Sequence, residues 1–306
     1  MSPPAVDRLV DYVRARHPRS LPGVLEARTL APARFDEIAD LFLGWATAAF
    51  GPSAIESMVD AFVRFSMDVN FAQARYEATG RYEHKSYQEC QDSVYSQDAT
   101  MDDYLSGIYL TNFLWAHHLD LSLFFTERFV ARLPAAPKLA EIASGHGGWG
   151  LWALHGRPEA TLTGYDISPK AIEMATAIAA GAGMSDRASY RLQDVMELDA
   201  AATAPVDACI CSFLIEHLEQ PDQLLAAMSD LLVPGGTAFL TGALTAAQVD
   251  HIFEFRHESE LVQMAERHGF RLLDLRSAGP ARTLPGARFL PRSAALVLQK
   301  RVHETW

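Results

Sequence analysis

Four glycines and three carboxylates carry the chemistry that can be read directly from this chain. Lys138-Leu-Ala-Glu-Ile-Ala-Ser-Gly-His-Gly-Gly-Trp-Gly150 is a short apolar run around Glu141 that opens into a turn holding Gly145, Gly147, Gly148 and Gly150. Glycine lets a backbone turn sharply and approach a ligand closely, because a Cβ would obstruct both. The spacing Gly145-x-Gly147-x-x-Gly150 matches the G-x-G-x-x-G nucleotide-binding fingerprint. Asp166 closes a second apolar run 19 residues after Gly147, a spacing at which a carboxylate accepts hydrogen bonds from ribose hydroxyls. Asp194 follows a third run in Leu192-Gln-Asp-Val195, where its side chain can accept from an adenine amino group. Glu141 separates the candidate ligands. A carboxylate ahead of the glycines repels an anionic pyrophosphate and attracts an ammonium or a sulfonium.

These residues need a sheet to position them, and the pattern after Leu133-Pro-Ala-Ala-Pro137 supplies one. Two prolines in five residues end whatever helix precedes them. Strands are expected at 139–143, 160–165, 188–192, 206–213, 237–241, 270–275 and 293–299, with helices from 149 and at 168–180, 222–232 and 259–268. Such alternation calls for a parallel sheet covered on both faces. The last two strands have no long helix between them and are expected to pair antiparallel at one edge. The preceding residues, 1–132, read as an all-helical domain. Val6, Leu9, Val10 and Val13 recur at helical spacing, as do Phe35, Ile38, Leu41, Phe42, Trp45 and Phe50. Ser53 with Glu56 reads as a capping box for a helix reaching Gly80. Ser86 to Glu127 has no Lys or Arg, seven acids, and aromatic and imidazole groups that include Tyr104, Trp115, His117 and His118. This segment reads either as a solvated acidic turn followed by a buried helix, or as a lid. In the lid reading Tyr104, Trp115 and His118 line a substrate pocket and exclude water from it.

From residue 138 to 300 the chain resembles the class I S-adenosylmethionine-dependent methyltransferase family, of the small-molecule type with an N-terminal helical domain. Glu141-Ile-Ala-Ser-Gly145-His-Gly147 resembles its E-x-x-x-G-x-G motif, and Gly164-Tyr-Asp-Ile-Ser168 its second motif. Gln193-Asp-Val195 resembles the third, the run Asp207–Pro221 its fourth strand and loop, and Leu231-Leu-Val-Pro-Gly-Gly236 the turn before strand five. The resemblance implies an α/β, Rossmann-like seven-stranded sheet in the order 3-2-1-4-5-7-6 and S-adenosylmethionine as cofactor. It implies that Glu141 faces the methionine ammonium, that Ser144 bonds the carboxylate, and that Gly145 and Gly147 pass close to the methionine and ribose. Asp166 then takes the ribose, Ile167 covers adenine, Asp194 and Val195 meet the adenine edge, and Ser212 and Phe213 lie beside the transferring methyl. Ala143-Ser144 departs from the Gly-Pro pair of many members. A His ahead of the Pro-Gly-Gly turn acts as general base in small-molecule O-methyltransferases, which makes His217 a catalytic candidate and His251, after strand five, a second.

The expected function is methylation of a small-molecule metabolite, with oxygen as acceptor, in a biosynthetic pathway. Carbon or nitrogen methylation, metal-assisted chemistry on a 2-oxo acid, an NAD-dependent oxidoreductase and a non-catalytic S-adenosylmethionine-binding module are the alternatives. A carboxylate with His117, His118, His251 and His257 could hold iron or zinc, but no spacing fixes such a site and no metal ligand is assigned. Of 306 residues 49% are hydrophobic and 21% charged, and the net charge is −12. That acidic balance argues against a nucleic-acid footprint. No run approaches the roughly 20 apolar residues of a membrane span, and no signal peptide is read at the N-terminus. A cytoplasmic protein without a membrane partner is expected. Cys90, Cys209 and Cys211 give no disulfide framework, and the last two read as buried hydrophobes on one strand face. The apolar faces of 1–132 suggest a homodimer, so this region is expected to serve as lid and dimerisation domain and 138–306 as the cofactor-binding domain.

Overall fold

The computed structural model describes residues 4–90, 98–198, 203–280 and 286–302. Eleven helices and seven strands are named among them. The helical half contains α1 (Ala5–Arg16), α2 (Leu21–Leu30), α3 (Pro32–Phe50), α4 (Ala54–Thr79), the short α5 (Tyr87–Cys90), α6 (Asp98–Leu114) and α7 (Ala116–Phe124). The remaining chain alternates as β1 (Lys138–Ile142), α8 (Gly148–Gly156), β2 (Thr161–Asp166), α9 (Pro169–Gly181), β3 (Ala188–Leu192), β4 (Val206–Cys211), α10 (Pro221–Leu231) and β5 (Leu232–Leu244). It closes with α11 (Glu258–Arg267), β6 (Phe270–Ala278) and β7 (Arg292–Lys300). The strands form one sheet in the order β3-β2-β1-β4-β5-β7-β6. The first five are mutually parallel, and β7 pairs antiparallel with both β5 and β6, as the missing crossover helix requires.

Local chemistry explains most element ends. Ser168 caps α9 by accepting the Ala171 N–H, with Pro169 at the first helical position, and α4 ends on Gly80 in the left-handed conformation. Ser53 does not cap α4. Its side chain makes no cap hydrogen bond, and Glu56 pairs with Arg8 of α1 (2.7 Å). β5 starts at Leu232, ahead of the expected Thr237, so the Pro234-Gly-Gly236 turn is drawn into the sheet, and the β4–β5 register shifts between Val206 and Ala208. Ser212 and Phe213 lie just past the end of β4 rather than on it.

The helical half and the sheet share one apolar cluster, which runs from Val6 and Phe35 through Phe113 and Phe125 to Phe239 and Val297. The joint is aromatic. Past α7 the chain makes one π-helical turn (Phe125–Phe129), and Phe125 meets Phe239 of β5 (4.8 Å between centroids) and Trp149 of α8 (5.1 Å). Each fully buried ring of this kind contributes about 1.5–3 kcal/mol, so the helices are anchored rather than tethered. Phe35, Phe42 and Trp45, taken from sequence as part of a dimer face, are spent inside the chain, Phe35 against Phe113, Phe42 against Tyr109 and Trp152, and Trp45 against Phe42 and His155. Phe50 alone of that set is exposed. Cys209 and Cys211 are fully buried on β4, as their spacing suggested. Among the described residues no single helix is long and apolar enough to cross a membrane.

Candidate active site

The carboxyl ends of the parallel strands and the underside of α6 and α7 enclose a cavity of about 1030 Å³. The glycine loop forms one end of it. Glu141, mid-way along β1, is buried between Gly164 of β2 and Ile210 of β4. Its Oε1 accepts the Gly150 N–H (3.1 Å), while Oε2 is buried with no partner in the protein. Burial pushes this carboxyl up to about 8. Gly150 is the reason the carboxyl fits, since a Cβ there would overlap Glu141 Oε2 and the Leu162 side chain. Its role is thus to seat Glu141 as well as to pack α8 on the sheet. Gly147 sits at φ +72°, and a Cβ on it would come within 2.6 Å of the Tyr190 hydroxyl on β3. Both a left-handed turn and a close approach therefore demand glycine there. Ser144, after Ala143 at φ +50°, donates its N–H to Tyr165 O, and its hydroxyl is buried without a partner.

Asp166 ends β2 half-buried. Its Oδ2 accepts the Gly145 N–H and its Oδ1 the Ser168 N–H (both 2.8 Å), so it ties the glycine loop to the next loop. Burial raises its pKa, against these two N–H groups. The Ile167 side chain is half exposed at the cavity rim, free to cover a planar group. Asp194 Oδ1 accepts the Met196 N–H (2.8 Å) and so caps a 3₁₀ turn from Val195 to Glu197, which leaves its carboxylate at the cavity wall beside buried Val195. His146, inside the loop, was not singled out from sequence. Its Nδ1 accepts the Gly148 N–H and its ring stands edge-on to Tyr109 of α6 (5.1 Å), with burial lowering its pKa to about 3. It plugs the loop against the helical half as a neutral ring.

The roof comes from α6 and α7. Tyr104, Trp115 and His118 all line the cavity, as the lid reading expected, together with His117. Trp115 stacks between Phe65 of α4 (5.7 Å) and His117 (5.5 Å). His118 lies flat on Phe213 (4.7 Å, 17°) and is held by Thr111 Oγ1 and Ser293 Oγ. Burial pushes its pKa well down and that of His117 to about 4. Asp102 and Asp103 stay exposed, as a solvated acidic stretch would, but they lie on α6, and half-buried Asp120 lies on α7, rather than in a turn. Asp103 pairs with Arg64 (2.8 Å), Asp102 with Lys170 (3.6 Å) and Asp120 with Arg276 (3.1 Å), cations supplied by α4, α9 and β6. Asp92, Tyr95 and the Asp98 side chain lie outside the described residues.

At the far wall stand Ser212, Phe213, Glu216, His217 and His251. Phe213 (φ +53°) donates its N–H to Thr241 Oγ1 (2.9 Å), and the Ser212 hydroxyl is buried without a partner. His217 and His251 meet edge-to-face at 4.8 Å. Glu216 is fully buried beside them, which raises its pKa to about 7, and burial lowers that of His251 to about 3. Tyr104 reaches the neighbouring Asp250 carboxylate, and burial holds its phenol well above the usual range. The four-histidine grouping entertained from sequence does not form. His257 caps α11 and His117 and His118 belong to the roof, while His251 joins Glu216 and His217. Glu216 carried no sequence signal beyond its place in Glu216-His217, since nothing marks a carboxylate as buried before the fold is known.

The unpartnered Glu141 and Ser144 oxygens and the glycine loop, which a Cβ at Gly147 or Gly150 would fill, make a cradle suited to an amino-acid-bearing nucleoside. Comparison with known proteins agrees. Residues 139–236 match the family model of a methyltransferase domain. A ubiquinone biosynthesis O-methyltransferase of Xanthomonas axonopodis pv. citri is 32% identical over 116 residues, which cover 38% of this chain and 47% of that protein. The chain thus spans about half the length of the curated relatives it matches. Among solved structures, mitomycin 7-O-methyltransferase is 14% identical with a TM-score of 0.55, covering 83% of this chain and 74% of that one. Phosphoethanolamine N-methyltransferase 2 of Haemonchus contortus, solved with S-adenosyl-L-methionine, is 14% identical with a TM-score of 0.53, covering 72% and 61%. At these identities the likeness to solved structures is one of fold. Fold, loop and domain match together define a class I S-adenosylmethionine-dependent methyltransferase domain. The cofactor of this class is S-adenosylmethionine, and the NAD reading of the glycine spacing falls.

Proposed function

We propose that the chain methylates a hydroxyl of a small-molecule metabolite at the expense of S-adenosylmethionine. The observation that carries this reading is one continuous cavity with the Glu141 cradle at one end, Glu216, His217 and His251 at the other, and an aromatic roof over both. A roof of α6 and α7 anchored on the sheet suits a small acceptor better than a polymer. The name of the Xanthomonas relative supports oxygen as the accepting atom and a biosynthetic setting.

S-adenosylmethionine supplies a methyl on a sulfonium, whose C–S bond breaks as the new C–O bond forms and the sulfonium becomes a thioether. Such a displacement needs alignment before it needs acid or base. Glu141 and Ser144 hold the amino-acid end, Gly145 and Gly147 pass beside it, Asp166 and Asp194 take ribose and adenine, and Ile167 with Val195 encloses the base. Ser212 and Phe213 flank the transferring methyl, and the stacked ring of His118 holds Phe213 in place. Tyr104, Trp115 and His118 exclude water and line the cavity with aromatic surface for a flat acceptor. His217 and His251 promote loss of the hydroxyl proton. The test is incubation of the full chain with S-adenosylmethionine and a panel of hydroxylated aromatic metabolites, followed by mass spectrometry. S-adenosylhomocysteine and a product heavier by one methylene are expected. Binding of the cofactor with no turnover on any hydroxyl would leave a binding module, and methylation only of amines would move the acceptor to nitrogen.

A further inference from the structure

Glu216, His217 and His251 each offer one potential ligating atom, and these atoms all lie within 4.8 Å of one another at the cavity wall. Neither imidazole has a proton to give its neighbours. His217 Nδ1 is 3.0 Å from the Asp250 main-chain oxygen and 3.5 Å from its carboxylate, and His251 Nδ1 is 2.7 Å from the Ala246 main-chain oxygen. Carbonyl and carboxylate oxygens only accept, so each Nδ1 carries the ring proton and each Nε2 keeps a free lone pair. Glu216 has no exposed surface, and neither of its carboxylate oxygens has a hydrogen-bond partner. The backbone N–H groups of Glu216 and Ala243 favour its charged form without closing a hydrogen bond. Two imidazole lone pairs and a buried carboxyl gathered in one corner are unfavourable unless a proton or a metal ion stands between them. An Nδ1–H tied to a carbonyl is also the arrangement that orients a metal-binding imidazole and leaves Nε2 as the ligand.

We propose that Glu216, His217 and His251 bind one divalent transition-metal ion of the zinc or ferrous-iron class, with its open positions facing the cavity. The site deepens the reading above, on which it rests only for its placement beside the transferring methyl. Two imidazoles and one carboxylate select such ions over magnesium or calcium, which prefer all-oxygen shells. Donor atoms around a tetrahedral ion stand about 3.4 Å apart when each bond is about 2.1 Å, so modest side-chain rotations close the set. His117, His118 and His257 are excluded by their places in the roof and at a helix cap. Asp250 acts as a positioning residue, holding His217 and receiving Tyr104. A hydroxyl bound at an open position becomes more acidic and releases its proton to bulk solvent as it binds, since both imidazoles are engaged by the metal.

The experiment uses the full chain stripped with a chelator and titrated calorimetrically, without oxygen, with zinc, iron(II) and magnesium chlorides, and separately with S-adenosylmethionine. One equivalent of zinc or iron(II) is expected to bind at about micromolar Kd or tighter, with magnesium at least about 100-fold weaker. His251→Ala and Glu216→Gln are each expected to weaken the transition-metal site by about 100-fold or more while cofactor affinity stays unchanged. Cobalt(II) should give visible ligand-field bands in the wild type, a readout that does not depend on either variant folding. A stripped protein that binds S-adenosylmethionine but takes up none of these transition metals overturns the site, as does wild-type metal affinity in both folded variants. Metal uptake without cofactor binding would instead sink the methyltransferase reading and leave the metal site standing.

Discussion

Glu141 turns cofactor binding into a proton count. Burial pushes its carboxyl from an ordinary value of 4.5 up to about 8, against the single Gly150 N–H that favours the charged form. At pH 7 about nine molecules in ten therefore hold it protonated. An ammonium brought against Oε2 favours the carboxylate, so binding of S-adenosylmethionine at pH 7 is expected to release about 0.9 proton. Affinity should then rise nearly tenfold per pH unit from about pH 5.5 to 7 and flatten above about pH 8. Calorimetry in two buffers of different ionisation heat gives the proton number directly, and Glu141→Gln, which cannot ionise, supplies the control. The stability of the free protein should move the other way. A carboxyl raised on folding contributes fully below its unfolded value, and that contribution is lost as pH climbs from about 4.5 through about 8. Cofactor binding with no proton release at pH 7, or the same release from Glu141→Gln, would refute the assignment of Glu141 to the ammonium.

Four further outcomes follow from the contacts. Gly150→Ala gains about 1 kcal/mol of helix propensity but forces a Cβ into Glu141 and Leu162. Overpacking costs about 1–3 kcal/mol, so thermal melting should drop and calorimetry should show weaker cofactor binding; a stabilised variant with normal affinity would sink the seating role of Gly150. Asp166→Ala strands the N–H groups of Gly145 and Ser168, at about 1–3 kcal/mol each where water cannot reach. It should lose at least about tenfold in cofactor affinity, and unchanged affinity would remove Asp166 from the site. Thr241→Val takes the acceptor from the Phe213 N–H; turnover should fall while cofactor affinity holds, and equal turnover would show that Phe213 needs no anchoring. Arg64→Ala breaks only an exposed pair with Asp103 and should cost under about 1 kcal/mol in denaturant melts with no change in cofactor binding.

The cofactor half of the site was legible because its signals are local. A glycine loop after a strand, with acids at the ends of the next two strands, fixes which groups converge whatever the loops between them do. Strand–helix alternation and the missing crossover before β7 likewise mark a parallel sheet with an antiparallel edge, while the full strand order came from the family resemblance. What stayed hidden depends on burial and on long separations in sequence. Glu216 and His251 meet only because the loops after β4 and β5 run side by side, where the Ile252 and Phe253 N–H groups both donate to the Glu216 main-chain oxygen. Asp166 and Asp194 were read as ligand contacts, yet each also takes backbone N–H groups, since a carboxylate at a strand end serves the nearest donors whether or not a ligand is present. The apolar faces of α3 were visible but not their partner, because a hydrophobic stripe does not say whether it covers the same chain or another.

The three strands whose ends meet at the cavity leave the sheet in the same unusual way. Ala143 after β1, Phe213 after β4 and Thr245 after β5 all have φ near +50°, a region that costs a non-glycine residue about 1–2 kcal/mol. Such strain persists only where neighbouring contacts over-determine it, and here they do. The N–H of Ser144 goes to Tyr165 O, that of Phe213 to Thr241 Oγ1 and that of Thr245 to Phe255 O, while the Thr245 hydroxyl donates to Leu290 O. The effect is to turn each chain sharply at the cavity wall rather than let it run on past the sheet. Ser144 is thereby aimed at the cradle, Phe213 is laid under His118, and the segment carrying His251 is folded back to meet Glu216 and His217. Glycine would relax all three turns, but at Phe213 it would also delete the ring that His118 stacks on. The strain is therefore tied to holding the glycine-loop end and the Glu216–His251 end of one cavity in fixed relation.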